Sequence, residues 1–593
     1  MDKSWSFAPR KSNVGSVLED VDVPDCVGVL PKLLDKYESG RSKFGEEAED
    51  DKSFLDALQA ISKLCLCDTS LSALDAQEKA MSFLETELCL LLDHPKSKTP
   101  KKSFSFGSHP SHDSPVPDND SPKLPPQDHH DHHANEDFPP NFSAQKRSVL
   151  KKIASAMIAA GYQTECCMAF AAFRRTAFKT ALQRFGYRSV RMEDVYKMQW
   201  ESLEGEIATW NKVVGHSTTV LFSAERRLYD SVFHDHPSIS QNLFSDLVRA
   251  VIVHLLNFVH GAVLTKQSAE KLFKFLDMYE TLRDVEPAIT GASYSEQCAK
   301  ELAYEVATAK DRVAEAVVGM FCDLENSIKS DNQRIPVPNG AVHPLTRYVM
   351  NYLEYACEYK DTSEQVFERC VGVKGIGIGI ESHKSIDEEG DDGTGNKSAF
   401  ALQFKTVMEL LDANVERKSR LYKDPALRYV FLMNNGRYIV QKMKGCAELH
   451  KLMGDNWCRR RQSRLRLYHK CYQRETWSKV LQCLNPEGLK GNGNKVSKQL
   501  LKERFKSFNS MFEDIHKKQR TWMVSDEQLQ SELRVSITAL VIPAYRSFVG
   551  RFKHHLESPR HVDKYIKYHP DDIEIFIHHF FDGNAPSIPR KRT

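Results

Sequence analysis

The segment SKQLLKERFKSFNSMFEDIHKKQ, near the C-terminus, constrains the fold most tightly. It sets Leu501, Phe505, Phe508, Phe512 and Ile515 at alternating steps of four and three. That spacing lays one apolar stripe along a helix, with Lys502, Arg504, Lys506, Lys517 and Lys518 solvating the other faces. A second helix is expected to start at Ser525-Asp526-Glu527, its acids set against the positive end of the helix dipole. Its later stripe reads Leu540, Ala544, Phe548, Phe552 and Leu556, and Pro543 within it is expected to bend or divide the helix. Pro570-Asp571-Asp572 opens a last short helix with Ile573, Ile577 and Phe580 facing inward and Gly583 as the stop.

The same periodicity runs through most of the chain. Phe54, Leu58, Ile61 and Leu64, then Met81, Leu84, Leu88 and Leu91, make two stripes that predict a small helical unit in residues 1–94, helical from about Ser53. IASAMIAAGYQTECCMAFAAFRRTAF alternates small and large apolar residues, as closely packed helices require. Val195, Leu203, Ile207, Trp210 and Val214 read as one helix from Met192, with further helices over 246–264, 268–282 and 295–330. Pro336 and Pro338 enforce an extended approach to a helix that starts after His343-Pro344. Phe404, Val407, Leu411 and Val415 form one stripe, and Leu427, Phe431 and Tyr438 another. No series of short β-rich runs bounded by hairpin turns occurs. The expected class is all-α, with antiparallel helices packed in successive bundles along an elongated rod over residues 146–583 and a flexible tail at 584–593.

Composition narrows the function classes. Lys and Arg number 82 against 80 acids, so a net charge of +2 carries no signal about partners and only local clustering does. With 593 residues, length alone suggests three or four packed units. The 14 cysteines are scattered without a CxxC, which predicts reduced, mostly packed thiols of a cytosolic protein and no zinc site. MDKSWSFAPRKSN lacks the apolar core of a secretory signal, and neither myristoylation nor prenylation is indicated. The most apolar run, 250–264, is short and carries His254 and His260, so it is expected as a core helix and any membrane contact as peripheral. Residues 95–145 hold 10 of the 25 prolines and hardly an aliphatic side chain, the composition of a disordered linker. HHDHH within it has no scaffold to hold a metal. Thr99-Pro100, Ser114-Pro115 and Ser121-Pro122 there are candidate acceptors for proline-directed kinases.

Two motifs imitate ligand sites without their context. GVKGIGIGI (372–380) is flanked by expected helices and lacks the strand–helix alternation that a dinucleotide fingerprint needs, and has no GKS or GKT ending. DEEGDDGTG (387–395) lacks calcium-loop spacing. Both read as a mobile inter-helix insertion over about 372–398. No nucleophile elbow, HExxH or kinase signature appears, so neither catalytic residues nor a cofactor are expected.

Two stretches are strongly basic. Residues 451–479 carry nine Lys or Arg against Asp455 and Glu475, including Arg459, Arg460, Arg461, Arg464 and Arg466. A helix with a basic outer face and inward Trp457, Leu465, Tyr468, Tyr472 and Trp477 is the first reading. Support of a lipid contact is second, and nucleic acid a distant third. Residues 546–570 carry Arg546, Arg551, Lys553, Arg560, Lys564 and Lys567 against Glu557 and Asp563, with four histidines between them. A solvated helix face and a surface for anionic headgroups both fit that run. Ser558-Pro559 lies inside it, and a phosphate on Ser558, adding about −1.5 to −2 charges, would cancel about half the local excess.

PAYRSFVGRFKHH, RHVDKYIKY and LKERFKSFNSMFE, together with YVFLMNNGRYIVQKMK, LMGDNWCRRR, YQRETWSKVLQCL, MEDVYKMQWESLEGEIATW and HPLTRYVMNYL, resemble the exocyst's seventy-kilodalton subunit family in its plant form. The resemblance spans roughly residues 190–583 and implies a non-enzymatic subunit that tethers secretory vesicles to the plasma membrane before fusion. It implies other exocyst subunits and anionic inner-leaflet phospholipids as partners, with small GTPases or secretory regulators beside them and no nucleic acid. Cytoplasm with peripheral plasma-membrane association is the implied location. Lys564 and Lys567 match the family's lipid-contacting lysine pair, and their i, i+3 spacing would set both on one helical face. Arg546, Arg551, Lys553 and Arg560 join them by proximity in sequence, with phosphatidylinositol 4,5-bisphosphate as the expected ligand. The alternative is a soluble divergent paralogue that regulates the exocyst without itself binding membrane.

Overall fold

The computed structural model describes residues 26–67, 71–92, 142–291, 294–374, 398–489, 496–556, 562 and 564–583. Residues 95–141 of the expected linker, the glycine-rich and acidic motifs from Gly375 on, Ser558, Arg560 and the tail at 584–593 lie outside them; the last residues of the expected linker instead enter a helix at Ala144, capped by Ser143. The described residues are all-α and contain no strand; a single antiparallel bridge joins Met523 and Asp582. The chain gathers into two compact units rather than the three or four that length suggests, and the division falls inside two long helices.

The first unit holds α1 (Cys26–Glu38), α2 (Ala48–Cys67), α3 (Leu71–Leu92), α4 (Ala144–Ala159), α5 (Gln163–Arg184), α6 (Met192–Tyr196), α7 (Trp200–His216), α8 (Phe222–Val232) and α9 (Pro237–Val263). It also takes the end of α10 (Leu272–Thr290) and the start of α11 (Glu296–Ser330). Helical structure begins before Ser53. α1 contains Pro31 and, among its described side chains, three core positions, Leu30, Leu34 and Tyr37, too few for its period to be read. Tyr37, Phe44, Phe54 and Phe83 close its core with ring centroids 5.4 to 6.2 Å apart.

The expected helix from Met192 is two, α6 and α7, with a break at Lys197–Gln199. A π turn over Ser217–Leu221 then joins α7 to α8. Thr218 and Thr219 hydroxyls donate to the Gly215 carbonyl at 3.0 and 2.8 Å, a local competition that favours such an insertion. α9 is the one described helix long and apolar enough to cross a bilayer, yet more than half of its apolar window is buried inside the unit, as in a core helix.

The second unit starts at Val263 and holds α12 (Pro344–Ala356), α13 (Lys360–Lys374), α14 (Ala399–Ser419), α15 (Pro425–Gly445), α16 (Ala447–Met453), α17 (Asp455–Cys483), α18 (Lys498–Gln519), α19 (Glu527–Phe552) and α20 (Pro570–His578). α15 runs through its middle, packed by α12, α14, α16 and α17, and residues 430–436 are buried without a gap. Its two asparagines satisfy backbone that this packing strands. Asn435 Oδ1 accepts from His343 N at 3.0 Å and Thr346 Oγ1 at 2.8 Å, and Asn434 Nδ2 donates to the Gly340 and Met523 carbonyls, each at 2.7 Å.

Three expectations about the last helices change. Pro543 does not divide α19, which runs unbroken; Pro543 and Ala539, whose carbonyl loses its partner, are both on the water side, where solvent replaces the bond. The buried stripe of α19 is Leu533, Ile537, Val541, Tyr545, Phe548 and Phe552, while Leu540 and Ala544 are only half-buried. α20 ends at His578, short of Gly583. Phe581 takes a φ of 69° there, held by its N–H on the Gln519 carbonyl at 3.0 Å and by Gln530 donating to its own carbonyl at 3.1 Å.

Candidate functional site

α18 forms as its stripe predicts. The Ser497 hydroxyl caps it by accepting from Leu500 N, and Leu501, Phe505, Phe508 and Phe512 are buried. α19 packs across that stripe, with Phe508 and Tyr545 stacked at 4.7 Å and Phe505 edge-on to Phe548 at 5.2 Å. Asp526 caps α19 through Leu529 N at 2.6 Å. After α19 the chain returns over α18 before entering α20. Asn509 Nδ2 donates to the Tyr565 carbonyl at 2.9 Å, and Tyr545 OH to the Tyr568 carbonyl at 2.8 Å. The connection is therefore bolted by two buried side chains to a rigid aromatic base.

That route settles where the candidate cations stand. Lys564 is exposed beside the buried Tyr565, whose ring has the ammonium groups of Lys502 and Lys506 each 5.6 Å from its centroid. Two cations thus sit over one aromatic ring, with exposed Lys564 next to that ring's residue in the chain. Lys502 and Lys506 stand one turn apart on α18, and sequence alone gave no sign that the later connection would land between them.

Lys567 behaves differently. It lies beyond the last helical residue before α20, so Lys564 and Lys567 do not share a helical face. The Tyr568 carbonyl is tied to Tyr545 there. Lys567 Nζ pairs with Glu513 Oε1 at 2.5 Å, and Tyr568 OH donates to the same oxygen at 2.8 Å. The hydrogen bond it donates to Glu513 keeps the Lys567 ammonium above the usual lysine range. Burial pushes the Glu513 carboxyl up, but the bonds from Lys567 and Tyr568 outweigh it and leave it below the usual glutamate range.

Arg546 and Arg551 are exposed on α19, and Lys553 is exposed in the 3-10 turn that follows it. Among the described residues neither these three nor Lys564 pairs with a carboxylate. Arg560 and Ser558 lie outside the described residues.

The arginine run of α17 divides in two. Arg461 is buried and pairs with Asp412 of α14, and Arg464 reaches the same carboxylate at 3.4 Å. Arg459, Arg460 and Arg466 face water, while Tyr472 and Trp477 are fully buried and Trp457, Leu465 and Tyr468 half-buried. Part of this charge is internal structure. Among the described residues no group of His, Cys, Asp and Glu is placed to hold a metal.

A family model for the C-terminal region of the Exo70 exocyst complex subunit matches residues 208–579. The chain belongs to the Exo70 family. It is 51% identical over 606 residues to exocyst complex component EXO70C1 of Arabidopsis thaliana, an alignment covering 99% of this chain and 91% of that protein. With exocyst complex component EXO70C2 of the same plant it shares 44% identity over 603 residues, covering 96% and 84%. The crystal structure of the S. cerevisiae exocyst component Exo70p aligns over 93% of this chain and 98% of its own with a TM-score of 0.53 at 16% identity, a shared fold. Family membership supports the role of an exocyst component with other exocyst subunits as partners, and both plant relatives are named as components of that complex rather than as enzymes.

Proposed function

We propose that this Exo70-family chain is a non-enzymatic exocyst subunit that tethers secretory vesicles to the plasma membrane. It would meet the phosphoinositide-rich inner leaflet through a surface of its second unit. The observation that carries the reading is the pair of Lys502 and Lys506 over Tyr565, with exposed Lys564 beside it in the chain, on a base of stacked aromatic rings. Each cation near an anionic leaflet contributes about 1 kcal/mol, so three sum to roughly a hundredfold in affinity. Arg546, Arg551 and Lys553 extend the exposed charge, and Arg560 joins them by sequence. Attachment of this kind is peripheral and sensitive to salt. Contacts with fellow subunits raise the effective concentration at the membrane, so weak lipid contacts suffice.

One observation favours a second reading. Lys567, half of the lysine pair, is neutralised by Glu513. A surface weakened in this way suits a soluble regulator that holds exocyst subunits without delivering them to membrane.

Flotation of a mixture of this chain and other exocyst subunits with vesicles containing phosphatidylinositol 4,5-bisphosphate separates the two. The tether carries its partners to the vesicle fraction, and omission of the chain leaves them behind. Partners that bind the chain but stay with it in the soluble fraction overturn the tethering reading in favour of the regulator.

A further inference from the structure

In the second unit, α12 and α15 lie in parallel and in one register. Thr346 Oγ1 meets Asn435 Oδ1 at 2.8 Å, Tyr438 OH meets Asn351 Oδ1 at 3.2 Å, and Lys442 Nζ meets Glu354 Oε2 at 2.6 Å. Beyond the helix ends the same offset continues with Lys360 Nζ on Glu448 Oε2 at 3.0 Å. Between these last two ion pairs the register sets Cys357, in the turn after α12, against Cys446, at the α15–α16 junction. The Cys446 thiol lies near enough to Cys357 to disfavour its ionised form. Ion pairs on both sides hold the two backbones together whether or not the sulfurs are bonded, and two cysteines set opposite each other on adjacent backbones are what a disulfide requires.

We propose that Cys357 and Cys446 are a reversible redox pair, oxidised to a disulfide when the protein meets a peroxide. Cys446 is half-buried and Cys357 only 7% exposed, so the oxidant reaches Cys446 first. Cys357, the more enclosed of the two, is left the resolving role; burial, then Cys446 and the carboxylates of Glu448 and Glu354, push its thiol well above its usual range, which keeps it from being the sulfur a peroxide attacks first. In the first step hydrogen peroxide transfers one oxygen to Cys446, giving a sulfenic acid and water. In the second the Cys357 sulfur displaces that hydroxyl, the S–S bond forms and a second water leaves with the thiol proton. Both electrons have gone to the peroxide. In a reducing compartment the pair rests as two thiols, and a dithiol reductant returns it to that state. The bond would close a loop through α13, α14 and α15.

The test uses full-length protein, reduced and freed of reductant, then exposed to hydrogen peroxide, blocked with N-ethylmaleimide and mapped as non-reduced peptides. The expected product is one linked peptide pair containing Cys357 and Cys446, lighter by two hydrogen atoms and released by dithiothreitol. Oxidation should raise the melting midpoint by a few degrees in the parent and not in Cys446→Ser. Recovery of both cysteines as maleimide adducts would overturn the proposal. So would oxidation of Cys446 to sulfinic acid with Cys357 still open to alkylation. The parent map decides the question even if a variant misfolds, and Cys322→Ser should leave the linked peptide unchanged.

Discussion

Lys567 Nζ stands 2.5 Å from Glu513 Oε1, which ties the second lysine of the KYIKY motif to α18 instead of leaving it free for an anionic ligand. Glu513→Gln should release it. Both side chains are about half exposed, so the loss of stability is expected below about 1 kcal/mol, while affinity for anionic vesicles rises by up to about fivefold. Vesicle titration of parent and variant at matched salt checks this, and an unchanged affinity would show that Lys567 stays away from the lipid even when unpaired.

The buried pair of Arg174 and Glu225 joins α5 to α8, with Arg174 Nε 3.0 Å from the carboxylate and both residues almost fully enclosed. Removing one partner leaves a charge with no compensation. Arg174→Met is expected to cost about 3–5 kcal/mol, and the double variant Arg174→Met/Glu225→Leu to recover much of it. Denaturant unfolding followed by circular dichroism measures both. Equal losses in single and double variants would mean that the packing, and not the charge, matters.

How much of this was legible follows from what kind of information each feature uses. The stripe from Leu501 to Phe512 is local, and every one of those residues is buried as its spacing demands. The His343-Pro344 helix start is equally local and is capped by His343. That Pro543 leaves α19 undivided was not legible, because a proline's cost depends on which side of the helix loses its hydrogen bond, and that is set by tertiary packing. The neighbourhood of Lys502, Lys506 and Lys564 depends on the path taken after α19, as does the capture of Lys567 by Glu513. Spacing along one helix carries neither. The register of α12 on α15, and with it the meeting of Cys357 and Cys446, is equally long-range.

Asn435 bonds three groups at once, His343 N, Thr346 Oγ1 and the Phe431 carbonyl at 2.8 Å. Asn435→Leu keeps the volume and strands the first two in a dry interior. A loss of about 2–3 kcal/mol is expected, read as a lower denaturation midpoint. A variant as stable as the parent would mean that water can reach this site.

Acid should weaken the second unit through two enclosed histidines. Burial holds His516, between Phe576 at 4.8 Å and Phe580 at 5.8 Å, below the usual histidine range. Burial does the same to His343, whose Nδ1 accepts from Leu345 N at 3.1 Å and must stay unprotonated to do so. The folded state therefore binds fewer protons than the unfolded chain. Their contribution is fully present above the unfolded value of about 6.5 and is lost as pH falls toward the lowered folded values. The melting midpoint should drop between pH 7.5 and 5.5, and His516→Leu should flatten part of that slope. A midpoint independent of pH in this window would contradict the assignment.

The most direct test of the membrane account is a binding isotherm on vesicles with and without phosphatidylinositol 4,5-bisphosphate. It compares the parent with Lys502→Ala/Lys506→Ala/Lys564→Ala at physiological salt, after matching melting curves establish that the variant is folded. The account predicts lipid-selective binding by the parent and a loss of roughly a hundredfold in the triple variant. Equal binding by the two proteins, or a parent that ignores the lipid, would contradict it.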